Sequence, residues 1–340
     1  MRYLVTGATT PLAVEVIRAL LAEPETETVL GVANEARRSM PIRDGRLRYL
    51  RFDLTRERSI RSLMFGPVRE VGVQCIVHLA VHRKIRHGKK ARALHVDAPQ
   101  RVLRFTERVP SVEQFVYCSS ALVYDVDAHL PVQVDEEHPL RIGSGVPPHV
   151  LDRVAADLAV CGRMGMSRVR IAVLRPAECL AEDMGSQLLD YLQSRVCFRP
   201  VGFDPMVNLI SVEDLGRALA HAAIRRAQGV FTIPGLDALP LSCVIRRFGR
   251  REVPIPGPLL RPLYGIRRRV TGADFRYGMH HRQFHFGGVL DGRRAREAFG
   301  YEPRVPVRWP LRLDEVGKRA QRQNTRTLRG VLARVSDTAI

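Results

Sequence analysis

The chain has 340 residues, of which 45% are hydrophobic and 26% charged, and its formal net charge at pH 7 is +19. This length accommodates one large domain with a smaller lobe, and the composition is that of a globular enzyme rather than a disordered chain. No apolar run approaches the ~18 residues of a membrane span, and the strand-like N-terminus lacks the segments of a signal peptide, so we expect a cytoplasmic protein.

The six cysteines are scattered without a C-x-x-C pair, so we expect neither a disulfide framework nor a metal site. The positive charge is nearly all arginine and is concentrated late in the chain, where 22 Lys and Arg oppose 8 Asp and Glu from residue 241 on. Such a surface attracts anionic partners. A weak contact with an anionic membrane surface therefore stays open, beside the simpler explanation of a solvated basic surface. The charge alone is no strong evidence for nucleic-acid binding.

The first predicted elements are a strand, a glycine turn and a helix. Residues 2–6 (RYLVT) predict a strand that runs into TGATTPLA, where Thr10 fits a helix N-cap and Pro11 the first helical position. Gly7 stands where a dinucleotide-binding loop has its first glycine. Thr10 occupies the position of the middle glycine and Ala13 that of the third, so the loop alone is a weak sign of phosphate binding.

Short apolar strands and amphipathic helical segments alternate over the first 120 residues. The further predicted strands are 28–33, 47–52, 75–79 and 114–118, and helical segments include 14–21 and 91–108. Strict alternation implies a parallel sheet with helices on both faces, and apolar runs fit strands that are covered on both sides. The sequence therefore predicts an α/β fold: a Rossmann-like doubly wound parallel sheet with a smaller C-terminal substrate lobe.

The second half of the chain alternates less regularly. Residues 126–148 predict a long loop on the active-site side, followed by a helix over roughly 150–164 and by the strand VRIAVL. The sequence predicts a Rossmann-like domain over 1–175, to whose sheet 208–233 returns, a smaller lobe over 176–310, and a basic, mobile tail over 311–340.

Several modest motifs follow one another in a recognisable order. They are TGATTPLA, FDL (52–54), HLA (78–80), VYCSSALVY (116–124), LRPAE (174–178), NLISVEDLGRAL (208–219) and LDGRRAREAFGYEP (290–303). The series resembles the extended short-chain dehydrogenase/reductase superfamily, in its NAD(P)-dependent sugar-nucleotide epimerase/dehydratase branch, over about residues 1–310. The segment 241–269 resembles an atypical bacterial subgroup of that branch, with altered active-site residues. The resemblance implies NAD or NADP as cofactor and a nucleotide-sugar-like substrate, and it leaves a homodimer open.

The resemblance also assigns cofactor contacts by position. Gly7 to Leu12, among them Thr9, Thr10 and Pro11, would wrap the pyrophosphate. The remaining contacts it implies are Asp53 and Leu54 at the adenine, Leu79, Ala80 and Val81 on the nicotinamide side, Ser119, and Pro176 with Ala177 at the turn near the nicotinamide amide.

The end of the second strand bears on the choice between the two cofactors. An acidic residue there would bind the ribose hydroxyls of NAD, whereas a nearby arginine would accept the extra phosphate of NADP. This chain has Ala33 at the usual acidic position, then Asn34, with Arg37 and Arg38 close by. The missing acid weakens the case for NAD. Arg37 allows NADP, but a solvated surface arginine is an equal explanation.

The family's catalytic Tyr and Lys are replaced. They lie four residues apart on the helix after the long loop, and by register His149 stands for the Tyr and Arg153 for the Lys. Ser120 stands where the family has its substrate-orienting Ser or Thr. One hypothesis makes His149 the proton acceptor, since an imidazole titrates near neutral pH, with Arg153 on the cofactor ribose. The other makes His149 a loop-end residue without proton transfer.

Two functions follow from these residues. The first is an oxidoreductase or epimerase that moves hydride between NAD(P) and a sugar nucleotide. The second is a dinucleotide-binding scaffold or sensor without turnover, whose basic C-terminal half contacts a membrane surface or nucleic acid. Arginines of the lobe are candidate partners for the substrate pyrophosphate: Arg199, Arg217, Arg246, Arg247 and Arg282.

Overall fold

A parallel seven-stranded sheet forms the centre of the part of the chain that the computed structural model describes, which is residues 1–36, 40–79, 89–143, 145–181, 186–271, 275 and 277–309. Its strands are β1 (Arg2–Thr6), β2 (Thr28–Ala33), β3 (Leu47–Arg51), β4 (Cys75–His78), β5 (Gln114–Cys118), β7 (Arg170–Pro176) and β11 (Gly229–Ile233). The spatial order is β11-β7-β5-β4-β1-β2-β3. The chain thus winds outward in both directions from β1 and β4, which leaves a crevice at their carboxyl ends.

Helices cover both faces of this sheet. They are α1 (Pro11–Ala22), α2 (Glu57–Leu63), α3 (Arg69–Val71), α4 (Lys89–Arg92), α5 (Ala98–Thr106), α6 (Pro148–Cys161), α8 (Val212–Ile224) and α12 (Arg293–Phe299), with π-helical turns at Met64–Val68 and Ala93–Asp97. Successive side chains of a strand point to opposite faces of the sheet, and each face has its own hydrophobic core. Tyr3 and Val5 belong to the core with α1, α8 and α12, whereas Leu4 belongs to the core with α2, α5 and α6. Because both faces of the sheet are covered, the strands predicted from the sequence are mostly apolar.

The close packing of α1 against α8 depends on one glycine. A Cβ atom at Gly216 would lie 2.6 Å from the Cβ of Glu15, closer than two carbon atoms can approach. Any side chain at this position would push the two helices apart. Gly216 therefore sets how near α8 lies to the helix that follows the glycine turn.

A smaller lobe lies beyond β7. It contains a three-stranded sheet of order β12-β10-β8 and two strand pairs, β13 with β9 and β14 with β6. The elements are β6 (Gln133–Val134), β8 (Glu178–Cys179), α7 (Gln187–Leu192), β9 (Val196–Pro200), β10 (Met206–Ile210), β12 (Asp237–Pro240), α9 (Leu241–Arg247), β13 (Arg251–Ile255), α10 (Gly257–Thr271), α11 (Tyr277–His285) and β14 (Val289–Leu290). Aromatic rings fill its core, with Tyr191 4.8 Å from Phe284 and 5.2 Å from Phe275 between ring centroids.

The observed architecture confirms the predicted doubly wound fold and each of the six strands predicted for its sheet. The predicted helix after the long loop begins at Pro148, two residues earlier than expected, because proline fits the first helical turn. In the region 208–233, α8 and β11 rejoin the central sheet, whereas β10 pairs within the lobe. The tail 311–340 lies outside the described residues. None of the helices described has the length and apolarity needed to cross a membrane.

Candidate cofactor and substrate site

The turn after β1 has the backbone geometry of a tight strand-to-helix connection. Gly7 has a φ of +68°, which a residue with a side chain adopts only with strain. Thr10 caps α1 as predicted: its hydroxyl donates to the Gly7 carbonyl at 2.9 Å and accepts from the Ala13 amide at 3.2 Å. The Thr10 hydroxyl proton is thereby used inside the loop, so any phosphate bound here would depend on backbone amides and the positive end of α1.

A carboxylate lies beside this turn. The Thr9 hydroxyl donates to Oε2 of Glu35 at 3.0 Å, and the Tyr49 hydroxyl donates to the Glu35 backbone carbonyl at 2.7 Å. Glu35 follows the end of β2 by two residues. The position of Ala33 carries no acid, but an acidic side chain two residues later, that of Glu35, lies at the edge of the glycine turn.

The other residues predicted for the adenine end adjoin the ends of β2 and β3. The Asn34 carbonyl accepts from Arg51 Nε at 2.9 Å, and Leu54 is buried. Burial opposes ionisation of Asp53, but hydrogen bonds from Thr55 outweigh it and lower the pKa of the carboxyl. Arg37 lies outside the described residues.

The end of β4 comes next to the end of β1. The Leu79 amide donates to the Thr6 hydroxyl oxygen at 2.9 Å, and that oxygen lies 3.1 Å from Nδ1 of His78. These bonds place Leu79 between the ends of the two strands. Ala80 and Val81, predicted to follow it on the nicotinamide side, lie outside the described residues.

A buried ion pair supports the end of β5. Arg175 donates to both Asp157 oxygens, at 2.6 and 3.0 Å, and the two side chains are 5% and 0% exposed. Asp157 also accepts from the Ser119 hydroxyl at 2.5 Å, and Arg175 also donates to the Tyr124 hydroxyl at 3.2 Å. The group links α6, β7 and the turn that carries Ser120. Ser119 therefore binds the buried carboxylate of Asp157, a contact that the sequence did not reveal.

Helix α6 carries the two residues that stand at the catalytic Tyr and Lys positions. His149 is buried in the first turn of the helix, immediately after Pro148. Arg153 is half-buried, and its positive charge acts on Cys118 and on Glu178. Within the described residues, Arg153 forms neither a hydrogen bond nor an ion pair, so its guanidinium is available to a ligand.

A cavity of about 140 Å³ opens between the carboxyl edge of the sheet and the lobe. Pro176 and Ala177 from the sheet line it together with apolar residues of the lobe such as Phe284 and Phe286. Its polar lining groups are Ser120, Tyr124, Glu178, Gln187, Asn208 and Gln283. An apolar cavity with a few converging polar groups is the usual form of a small-molecule site. The described residues that line it do not include His149 or Arg153.

The five lobe arginines proposed as pyrophosphate partners each bind a carboxylate of the protein. Arg217 pairs with Asp214 at 2.6 Å and Arg282 with Asp125 at 2.9 Å. The other ion pairs are Arg199 with Glu252 at 2.5 Å, Arg246 with Glu252 at 4.0 Å, and Arg247 with Asp237 at 3.5 Å. Among the described lining residues the charged group is Glu178, a carboxyl that the sequence did not single out.

The doubly wound sheet, the glycine turn at its switch point and the cavity at its carboxyl edge define a dinucleotide-binding α/β protein. Residues 3–182 match the model of the NAD dependent epimerase/dehydratase family, and the chain belongs to that family. This match confirms the resemblance drawn from the ordered motifs and, with it, a nicotinamide dinucleotide as the class of cofactor.

Three individual proteins that resemble this chain share at most 29% of their aligned residues with it. An uncharacterized protein of Mycobacterium tuberculosis is 29% identical over 310 residues, covering 88% of this chain and 80% of that protein. MoeE5 in complex with UDP-glucuronic acid and NAD superimposes with a TM-score of 0.65 at 19% identity, over 90% of this chain and 95% of MoeE5. DesIV, a dTDP-glucose 4,6-dehydratase from Streptomyces venezuelae with NAD and TYD bound, gives 0.64 at 19% identity, over 90% and 93%. At such identities these structures show the shared fold.

Proposed function

We propose that this protein binds NAD across the carboxyl edge of the sheet and catalyses hydride transfer to or from a carbon of a nucleotide-sugar-like substrate in the cavity. One observation carries the proposal: the glycine turn, Ser120 and the Pro176–Ala177 turn all lie at the carboxyl edge of one parallel sheet, where Ser120, Pro176 and Ala177 line the cavity. The sugar nucleotides and NAD in the complexes of its structural neighbours support the same substrate class. When bound, the nicotinamide supplies the hydride acceptor or donor.

The residues present fit such a cofactor. The first turn of α1 contains no acidic residue, so its free amides and positive dipole end favour a pyrophosphate beside Gly7. Glu35 provides a carboxylate for ribose hydroxyls and would repel the additional phosphate of NADP, which favours NAD. Asp53 and Leu54 would contact the adenine, and Arg153 would hold the nicotinamide ribose.

Within the cavity, Ser120 orients the substrate. Its hydroxyl oxygen accepts the Leu122 amide at 3.2 Å, which fixes the side chain and leaves its proton to be donated to a substrate oxygen. One of the two hypotheses from the sequence makes His149 the proton acceptor of the reaction. That role requires the imidazole, from the first turn of α6, to reach the substrate oxygen.

A scaffold that binds dinucleotide without turnover is the second candidate. The observation that favours it is the replacement of the family's Tyr and Lys by His149 and Arg153. Protein loaded with NAD should be mixed with UDP-glucose, UDP-glucuronic acid and dTDP-glucose, and the products analysed by mass spectrometry and NADH absorbance. Turnover of any of them supports the enzyme. Tight NAD binding without conversion of these substrates supports the scaffold.

A further inference from the structure

Glu178 stands apart from the other polar residues of the cavity because it carries an ionisable acid. It lies two residues after Pro176 and directly after Ala177, the turn proposed to adjoin the nicotinamide, and it lines the cavity with Ser120. Strand β8 pairs with β10 through Glu178 and Leu209, so its backbone is fixed by the lobe sheet. A carboxyl group is therefore held on rigid backbone next to the proposed site of hydride transfer.

The side chain of Glu178 is held as firmly as its backbone. The Ser186 hydroxyl, at the N-cap of α7, donates to Oε1 of Glu178 at 2.5 Å. That bond occupies one carboxyl oxygen, and no hydrogen bond or ion pair from the residues that the structure describes occupies the other. The second oxygen is thus open to a ligand in the cavity.

The surroundings keep the Glu178 carboxyl protonated up to a higher pH than an ordinary glutamate. Burial raises the pKa of Glu178, and the Ser186 hydrogen bond and the positive charge of Arg153 on α6 only partly offset it. The neighbouring ionisable groups are Tyr124 from the turn after β5, and Cys118 and Cys179, whose pKa values burial raises to about 12 or above, so they stay neutral near pH 7. Arg153 is hence the charged group that tunes Glu178.

We propose that Glu178 is the group that exchanges a proton with the substrate oxygen during hydride transfer. This rests on the proposed function, with NAD(H) as the redox partner. In the reducing direction Glu178 gives its proton to the carbonyl oxygen as hydride from NADH reaches the carbonyl carbon. The C=O group becomes CH–OH, NADH becomes NAD, and Glu178 is left as a carboxylate beside Arg153. Oxidation of the alcohol returns the proton to Glu178.

The side chains in the cavity make this assignment specific. Ser120 can donate a hydrogen bond but does not ionise near neutral pH. The Tyr124 hydroxyl accepts from the buried Arg175, and burial raises the Tyr124 pKa to about 12, far from the range that suits proton exchange. Glu178 combines access to the cavity with a pKa displaced toward neutrality, as general acids and bases require.

The substitution Glu178→Gln tests the proposal because glutamine keeps the size and hydrogen-bonding capacity of glutamate but has no proton to exchange. In NAD-loaded protein mixed with UDP-glucose, UDP-glucuronic acid or dTDP-glucose, we expect E178Q to slow conversion of the substrate, followed by mass spectrometry and NADH absorbance, at least about 100-fold, with unchanged affinity for NAD. Glu113→Gln, at the opposite edge of the sheet, is the matched control and should keep the wild-type rate. A wild-type rate in E178Q, or a loss confined to His149→Gln, overturns the assignment.

A second readout does not depend on turnover. A carboxyl whose pKa is raised by folding binds its proton more tightly in the folded state, so it costs stability as pH rises from 4.5, its ordinary value, through the raised pKa. The free energy of unfolding of E178Q, relative to wild type, should therefore increase over that range and then level off. Parallel pH profiles of the two proteins contradict a protonated Glu178. Absence of any conversion of the three substrates by the wild type, with the predicted difference in pH profile, instead contradicts the proposed function.

Discussion

The Thr9 hydroxyl binds the Glu35 carboxylate at 3.0 Å, so an acid from beyond β2 lies against the glycine turn after β1. The two residues are 26 apart in sequence, and the parallel pairing of β1 with β2 brings their following loops together. In the proposed cofactor site, this contact would place a negative charge beside the ribose. We therefore expect Glu35 to determine the preference for NAD over NADP.

Replacing Glu35 should weaken NAD binding and relax the preference against NADP. A hydrogen bond to a charged group contributes about 1.5–3 kcal/mol, so Glu35→Gln should raise the Kd for NADH roughly tenfold or more while changing that for NADPH little or lowering it. Fluorescence titration with both reduced cofactors measures this. The exposed Glu70→Gln variant is the control. Equal Kd changes for the two cofactors would remove Glu35 from the choice between them.

Arg153 should contribute to cofactor affinity rather than to folding. It has no hydrogen-bond or ion-pair partner within the described residues, so Arg153→Gln leaves no charge unpaired and should change the free energy of unfolding by less than about 1 kcal/mol. The Kd for NADH should rise about tenfold, and Arg153→Lys should restore part of it. Arg170→Gln, at the amino end of β7, provides the control. Unchanged NADH affinity in Arg153→Gln would show that this guanidinium does not touch the cofactor.

The ion pair of Asp157 and Arg175 should be costly to break. Asp157→Asn leaves a buried guanidinium without its counter-charge and replaces one of the two acceptor oxygens, which bind Arg175 and Ser119, by an NH2 donor, so we expect a loss of about 3–5 kcal/mol in the free energy of unfolding. Urea denaturation measures it. Glu57→Gln breaks the exposed pair with Arg104 and should cost at most about 1 kcal/mol. A similar small cost for both variants would contradict the burial of the pair.

His78 should make the protein sensitive to mild acid. Burial lowers its pKa from 6.5 to about 3, so the unfolded state takes up a proton that the folded state refuses, and stability falls as pH drops below about 6.5. This group alone should cost about 2 kcal/mol between about pH 7 and pH 5.

His78→Phe keeps an aromatic ring against those of Phe115 and Tyr117 and should abolish that part of the pH dependence. It loses some stability at neutral pH because the Thr6 hydroxyl loses a partner. Urea denaturation at several pH values compares it with the wild type and with the exposed His129→Gln. A slope in His78→Phe equal to that of the wild type would contradict a neutral, buried imidazole.

The fold was predictable because its determinants are local. Most strands of the sheet are short apolar runs between polar turns, and the Thr10–Pro11 pair marks the start of α1 by capping chemistry that operates within four residues. The order of the motifs then placed Gly7, Leu79, Ser120 and Pro176, which all follow or end strands of one parallel sheet. Such residues must share its carboxyl edge, whatever the details of the loops.

The residues that sequence reasoning missed depend on contacts between distant elements. Glu35 lies two positions beyond the end of β2, and only the path of the chain after Ala33 turns it toward Thr9. Glu178 becomes a cavity group through the pairing of β8 with β10 and the bond from Ser186. A signal for Glu178 was present in LRPAE, where an acid directly follows the predicted nicotinamide turn, but burial and access to a cavity have no pattern in sequence.

The central claim is that a dinucleotide binds at the turn after β1, and calorimetric titration of NAD into wild type, Gly7→Ala and Gly249→Ala tests it most directly. Gly7 and Gly249 both have a φ of +68°, so both alanine variants carry the same backbone strain, but Gly249 lies in the lobe with open space around it. We predict one saturable NAD site in the wild type and in Gly249→Ala, and at least about tenfold weaker binding in Gly7→Ala. Equal NAD affinity in all three proteins, or no binding by the wild type, would contradict the claim.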